Sequence, residues 1–281
     1  MEAKRIRILI DEEIPFVKGV FEPYADVVYL SSKEIDSAAV KDADALIVRS
    51  RTTCNPSLLE GSKVKFIATD TIITTHIDFD YCNRKGIVVR NASGCNAGGV
   101  MNYVFSALYG VASRKAIKLD GYTIGVIGAG NVGSRVIMTG RKLGFNVLVN
   151  DPVKMKEEGP DGYCKLDYLL ENSDVVTMHV QLDETTAGMA GEKFFDKMKY
   201  GSIFINSSNG ALVDEDALKK AIPKLGAVII DTWAHEPYID MELLDMVDLA
   251  TPHIAGYSYQ GKQNGTSTCV RTLARFFGLS D

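Results

Sequence analysis

Short runs of aliphatic and β-branched residues alternate with helix-like segments along the whole chain. A first series of such runs falls at 6–10, 27–30, 45–48, 64–68 and 87–89. A second falls at 123–127, 146–149, 175–178, 202–205, 227–230 and 248–250. The runs are apolar on both faces, the pattern of strands covered by helices on either side, so the chain reads as α/β with parallel sheets. Between the two series, residues 96–113 are apolar all round, which predicts a buried connecting helix, with Gly94 and Gly121 as punctuation. Residues 261–277 read as a last helix, and 154–162, rich in charge, Gly and Pro, as the softest linker.

Composition bounds the partners. At 281 residues, 46% hydrophobic and 24% charged, the chain can fill two cores of ordinary size. A net charge of -5 argues against nucleic acid or an anionic membrane as the main partner. The five cysteines are odd in number and form no C-x-x-C pair, so neither a disulfide framework nor a zinc knuckle is expected. Cys95 precedes a helix but lacks a partner in sequence and reads as structural; His76 and His235 lack metal-ligand spacing, and no metal is expected. The N-terminus is unlike a signal peptide and the longest apolar run, 100–112, is too short for a bilayer, which leaves the cytoplasm as the expected compartment.

Chemistry first becomes specific at Gly128-Ala129-Gly130-Asn131-Val132-Gly133, a G-x-G-x-x-G that follows one predicted strand and opens a helix. The first glycine makes a tight turn, the second lets backbone amides approach a pyrophosphate, and the third permits close helix–strand packing. Asp151 lies 18 residues beyond Gly133 at the end of the next strand, where a carboxylate accepts ribose hydroxyls and repels a 2′-phosphate. NAD is therefore expected over NADP, with Lys154 nearby leaving a smaller opening for the latter.

Two further polar residues follow predicted strands of the same series. His253 stands in Thr251-Pro252-His253-Ile254, and Glu236 in Asp231-Thr232-Trp233-Ala234-His235-Glu236. A carboxylate against an imidazole orients the ring for proton transfer at an alcohol. The plainer alternative is a surface histidine and a turn glutamate.

With these residues the chain resembles the D-2-hydroxyacid dehydrogenase family over essentially its whole length. Within that family it resembles a branch that acts on a phosphorylated four-carbon sugar acid on the route to pyridoxal phosphate. The branch is carried by Gly94-Cys95-Asn96-Ala97, Asp231-Thr232-Trp233, and His253-Ile254-Ala255-Gly256-Tyr257-Ser258 followed by Gly261-Lys262. The resemblance implies two Rossmann-like domains. One, flavodoxin-like and discontinuous, would take substrate with residues 1–94 and 257–281; the other, 95–256, would bind NAD. It implies that His253 takes the hydroxyl proton, Glu236 supports it, and Asp231 contacts the nicotinamide amide. His179 and Ser207 would line the cofactor cleft with Gly128, Gly130, Asn131, Val132, Gly133 and Asp151. The family usually pairs as a homodimer through the region of helix 97–112, and the resembled branch carries a further C-terminal domain where this chain ends at Asp281.

The sequence departs from the family pattern where the substrate carboxylate is held. Asn209 stands in place of the arginine of an S-R-G element, so a bidentate charged clamp is replaced by a neutral amide. Ile73 stands where a glycine is expected and Thr75 where an aspartate is expected, while His179-Val180-Gln181 lacks the usual proline. Arg49-Ser50-Arg51, at the end of a predicted strand, would suit a substrate phosphate; Arg49, Arg51 or Arg90 could replace the lost clamp. Two readings stay open: an NAD-dependent dehydrogenase for a phosphorylated hydroxy acid, or an NAD-binding relative with lost or altered catalysis.

Overall fold

A computed structural model describes residues 5–71 and 74–279. The position of Ile73 lies outside the described residues. The chain divides into two units: one comprises the residues up to Asn96 and those from Tyr259 onward, the other Ala97–Ser258.

The first unit holds β1 (Arg7–Asp11), β2 (Asp26–Leu30), β3 (Ala45–Val48), β4 (Phe66–Thr69) and β5 (Val88–Asn91). They form one parallel sheet in the order β2-β1-β3-β4-β5. β3 and β4 are buried along their whole length because apolar layers cover both sides. Leu46, Val48 and Ile67 face one layer, and Ile8, Ile10, Ile47 and Phe66 face the other. The terminal helix Tyr259–Phe277 contributes Cys269 and Leu273 to the second layer. It starts two residues before its predicted beginning.

The second unit holds β6 (Thr123–Ile127), β7 (Asn146–Asn150), β8 (Val175–Met178), β9 (Ile203–Asn206), β10 (Ala227–Ile230) and β11 (Leu249–Ala250). These six also run parallel, in the order β11-β10-β9-β8-β6-β7. The order reverses direction at β6 and β8, so the loop after β6 opens into the crevice where open α/β sheets take ligands.

Two expectations need correction. The helix Ala97–Arg114 is not buried all round: Val104, Leu108 and Val111 pack inward, while Asn102, Ser106, Tyr109 and Ser113 form an exposed stripe. Its few polar residues sit at helical spacing, a signal outweighed in sequence by the surrounding apolar positions. The supposed linker at 154–162 is mostly helix, Pro152–Glu158. Asp151 caps it by accepting from the Lys154 amide, Pro152 starts it, and Gly159, at φ +96°, ends it.

Candidate active site

The three glycines after β6 have three different reasons to be glycine. Gly128 adopts φ +89°, and a Cβ there would lie 2.8 Å from the His179 carbonyl group. A Cβ on Gly133 would lie 1.8 Å from the Gly128 carbonyl oxygen, so the helix Asn131–Lys142 rests directly on the turn. At Gly130 the backbone is ordinary, with φ -69°, and an added Cβ would meet nothing within 4 Å. Protein packing therefore requires Gly128 and Gly133 but leaves Gly130 unexplained. A cradle that a Cβ would fill, beside a helix start without a side-chain cap, fits a pyrophosphate laid against the backbone.

Asp151 closes the cradle. One carboxylate oxygen accepts from the Ala129 amide at 2.8 Å and the other from the Lys154 amide at 3.0 Å. The strand-end role and the ribose role are thus compatible, since each oxygen keeps a lone pair beyond its backbone bond. His179, part-buried at the end of β8, places Nε2 3.0 Å from the Thr177 hydroxyl. Burial pushes its imidazole down to about 3, so it is neutral near pH 7.

The next two strands end in a second cluster of loops. After β9, Ser207 is buried and its hydroxyl has no hydrogen-bond partner among the described residues. The Ser208 hydroxyl donates to the Val180 carbonyl at 2.7 Å. Asn209 turns its side-chain oxygen inward, accepting from the Ala211 amide at 2.9 Å and capping the turn Gly210–Leu212. A Cβ on Gly210 would fall 2.0 Å from the Trp233 carbonyl carbon, so the Asn209 loop lies directly against the loop after β10.

That loop carries the histidine's partner. One Glu236 oxygen accepts from the Trp233 amide at 2.8 Å, and the other lies 2.8 Å from His253 Nδ1. The imidazole is 56% exposed, and its Nε2 has no protein partner among the described residues. His253 also holds a left-handed backbone at φ +53°, an uncommon state for a non-glycine residue that persists only where its surroundings enforce it.

The enforcing residue is Asp231, fully buried after β10. Its carbonyl accepts the His253 amide at 2.8 Å. Its carboxylate accepts the Ile254 and Ala255 amides, both at 2.9 Å, and the Thr251 hydroxyl at 2.6 Å. The resemblance implies a contact from Asp231 to the nicotinamide; in the structure the same carboxylate holds the His253 loop. Thr251 is reached in turn by the Tyr103 hydroxyl at 2.6 Å, and its carbonyl by the Trp233 indole N–H at 3.0 Å. The bond between Tyr103 and Thr251 escapes a sequence reading because the two lie 148 residues apart.

In the first unit, Arg49 and Arg51 leave the end of β3 but are not free cations. The Arg49 guanidinium donates to Glu13 at 2.8 Å and approaches Asp70 at 3.7 Å through Nε. Arg51 reaches the other Glu13 oxygen at 3.4 Å. Ser50 is exposed beside them, and Arg90 donates to the Val89 carbonyl at 2.8 Å. Glu13 and Asp70 were not singled out in sequence, since each lies far along the chain from Arg49.

No group of three or more potential metal ligands occurs among the described residues, and no helix there is long and apolar enough to cross a membrane. Residues 108–255 match the D-isomer specific 2-hydroxyacid dehydrogenase, NAD binding domain. The erythronate-4-phosphate dehydrogenase of Bacteroides fragilis is 43% identical over 98% of this chain and 81% of its own length. The enzyme of that name from Chromohalobacter salexigens is 41% identical over 98% of this chain and 73% of its own. Among solved structures, the NAD+-bound 3-phosphoglycerate dehydrogenase of Entamoeba histolytica is 27% identical, with a TM-score of 0.74 over 99% of this chain and 96% of that one. The Aquifex aeolicus D-lactate dehydrogenase complexed with NAD and lactic acid is 26% identical, with a TM-score of 0.70 over 97% and 95%.

Proposed function

This chain belongs to the D-isomer-specific 2-hydroxyacid dehydrogenases, NAD-dependent oxidoreductases, and from that premise we propose that it oxidises 4-phosphoerythronate at C2 to the 2-oxo acid. The observation that carries the reading is the Glu236–His253 pair at 2.8 Å, with the outer imidazole nitrogen open to solvent. In this reading Nε2 takes the C2 hydroxyl proton while Glu236, anchored on the Trp233 amide, holds the ring through Nδ1. Bound NAD supplies the acceptor for the C2 hydride. Gly128, Gly130, Asn131, Val132 and Gly133 would seat its pyrophosphate, Asp151 its adenosine ribose, and Ser207 and His179 would line its cleft. Asp231 positions the base. Arg49, Ser50 and Arg51 would face the phosphorylated end of the substrate, with Glu13 giving way. The exposed stripe of Ala97–Arg114, Tyr109 included, is the surface through which a homodimer would form.

One observation favours a second reading, an NAD-binding relative with lost or altered turnover. Asn209 spends its side-chain oxygen on the Ala211 amide and offers no guanidinium to a carboxylate. A hydrogen bond to a charged group is worth roughly 1.5–3 kcal/mol, so replacing the clamp costs about 10- to 150-fold. NADH formation from 4-phosphoerythronate separates the two readings, measured on the unaltered chain and on Asn209→Arg and Ile73→Gly, singly and together. Turnover by the unaltered chain sinks the second reading. Silence in every variant, with NAD still bound, sinks the first.

A further inference from the structure

Among the described residues, buried side-chain atoms without hydrogen-bond partners concentrate at one place in the first unit. They are Asp11 Oδ2, Arg49 Nε, Asp70 Oδ1 and, in the turn after Arg49, the Thr52 hydroxyl. Asp11 ends β1, Arg49 follows β3 and Asp70 follows β4, three adjacent strands that release their carboxyl ends side by side. The sheet order reverses between β1 and β3, where open parallel sheets take ligands. Asp11 is only 1% exposed. Burying a carboxylate oxygen or a guanidinium N–H unpaired is costly, and such atoms in a folded protein call for a partner.

The chemistry of the set selects that partner. Arg49 Nε is a donor only, and the two aspartate oxygens are acceptors. A phosphate or carboxylate would satisfy Arg49 but would face Asp11, Glu13 and Asp70, three carboxylates against the two guanidinium groups of Arg49 and Arg51. An ammonium would satisfy the aspartates and leave Arg49 Nε without a hydrogen bond, its approach to Asp70 at 3.7 Å being too long for one. A hydroxyl donates to a carboxylate and accepts from a guanidinium at once, so it meets both demands without adding charge. Burial, with the nearby Asp11 charge, already pushes the Asp70 carboxyl above its ordinary value against the pull of Arg49, so further negative charge at this place is disfavoured.

We propose that Asp11, Arg49 and Asp70 form a hydroxyl-binding site that takes the hydroxylated carbons of the substrate and not its phosphate. The inference rests on the reading of the chain as acting on a sugar acid. It divides Arg49 between two tasks: Nε faces inward to the hydroxyls, while its terminal nitrogen, with Arg51, faces outward and is held by Glu13.

The test is a binding measurement on the full chain, with NADH saturating so that no oxidation occurs. Isothermal titration compares D-erythronate with D-2-hydroxybutyrate, which keeps the carboxylate and the C2 hydroxyl but lacks the other two hydroxyls, and with inorganic phosphate. Erythronate should bind at least tenfold more tightly than 2-hydroxybutyrate, a preference that shrinks to within about threefold in Asp70→Asn and Asp11→Asn. Asp70→Asn, the less buried change, keeps the comparison available should Asp11→Asn fail to fold. Equal affinities in the unaltered chain, tighter binding of phosphate than of erythronate, or binding of neither because the atoms hold ordered water only, would each overturn the proposal. Failure of turnover leaves the preference for erythronate intact, and turnover without that preference removes this site while sparing the dehydrogenase reading.

Discussion

Gly130 and Gly133 differ by one contact, and that contact predicts opposite consequences for the same substitution. Gly133→Ala would push a methyl group to 1.8 Å from the Gly128 carbonyl oxygen, so the helix must move or the turn must open. The expected cost is about 2–3 kcal/mol of stability, with NAD binding lost as a result. Gly130→Ala meets nothing within 4 Å and needs no unusual backbone angle, so denaturant unfolding should change by no more than about 0.5–1 kcal/mol. Its NAD affinity should nevertheless fall at least tenfold, because the methyl group occupies the approach of the pyrophosphate. Paired urea melts and NAD titrations check both halves. Unaltered NAD affinity in Gly130→Ala would show that the cofactor does not lie on this turn.

At the scale of elements, the loop after β11 is held by a relay that begins in the helix Ala97–Arg114. Thr251 donates to Asp231, so the Tyr103 hydroxyl must be the donor to Thr251. Burial, with the nearby Asp231 charge, pushes Tyr103 up to about 12 and keeps it a neutral donor. Thr251→Val strips both bonds at once, leaving a half-buried phenol unpaired and Asp231 with one donor fewer. It should cost about 2 kcal/mol and lower kcat while the KM for NAD stays within about twofold. Thr251→Ser should restore both. Such a relay was not legible in the sequence, because hydroxyls separated by many residues meet only through the sheet order. The strands were legible, since burial on both faces writes them as apolar runs. The Glu236–His253 pair was half legible: each residue follows a strand, which placed it, but only the left-handed turn at His253 and the anchor at Asp231 aim the two at each other. The part of Asp231 in holding the His253 backbone was not legible either, because it shows only once the chain has turned back from Thr251 to Ala255 over its carboxylate. Glu13 and Asp70 were not legible because each lies far along the chain from Arg49, which it meets only through the sheet order.

For the whole molecule, pH should report on the second sheet through His179. Its folded value of about 3 lies below the ordinary 6.5, so the unfolded chain binds the proton first. The contribution of the neutral imidazole is therefore complete above pH 6.5 and is lost as pH falls from 6.5 toward 3. A fully coupled group loses about 1.4 kcal/mol per pH unit, and a part-buried one less, so moving from pH 7 to pH 4.5 should cost on the order of 2 kcal/mol through this residue. His76, also lowered by burial, contributes in the same direction from the other unit, so the raw melting curve cannot isolate His179. The difference between the unaltered chain and His179→Gln can. At pH 7 the variant should be the less stable, having lost the contact with Thr177, and by pH 4.5 the gap should close or reverse. A gap that stays constant over this range would mean that the imidazole is open to water, and that the cleft at the end of β8 is wetter than its burial implies.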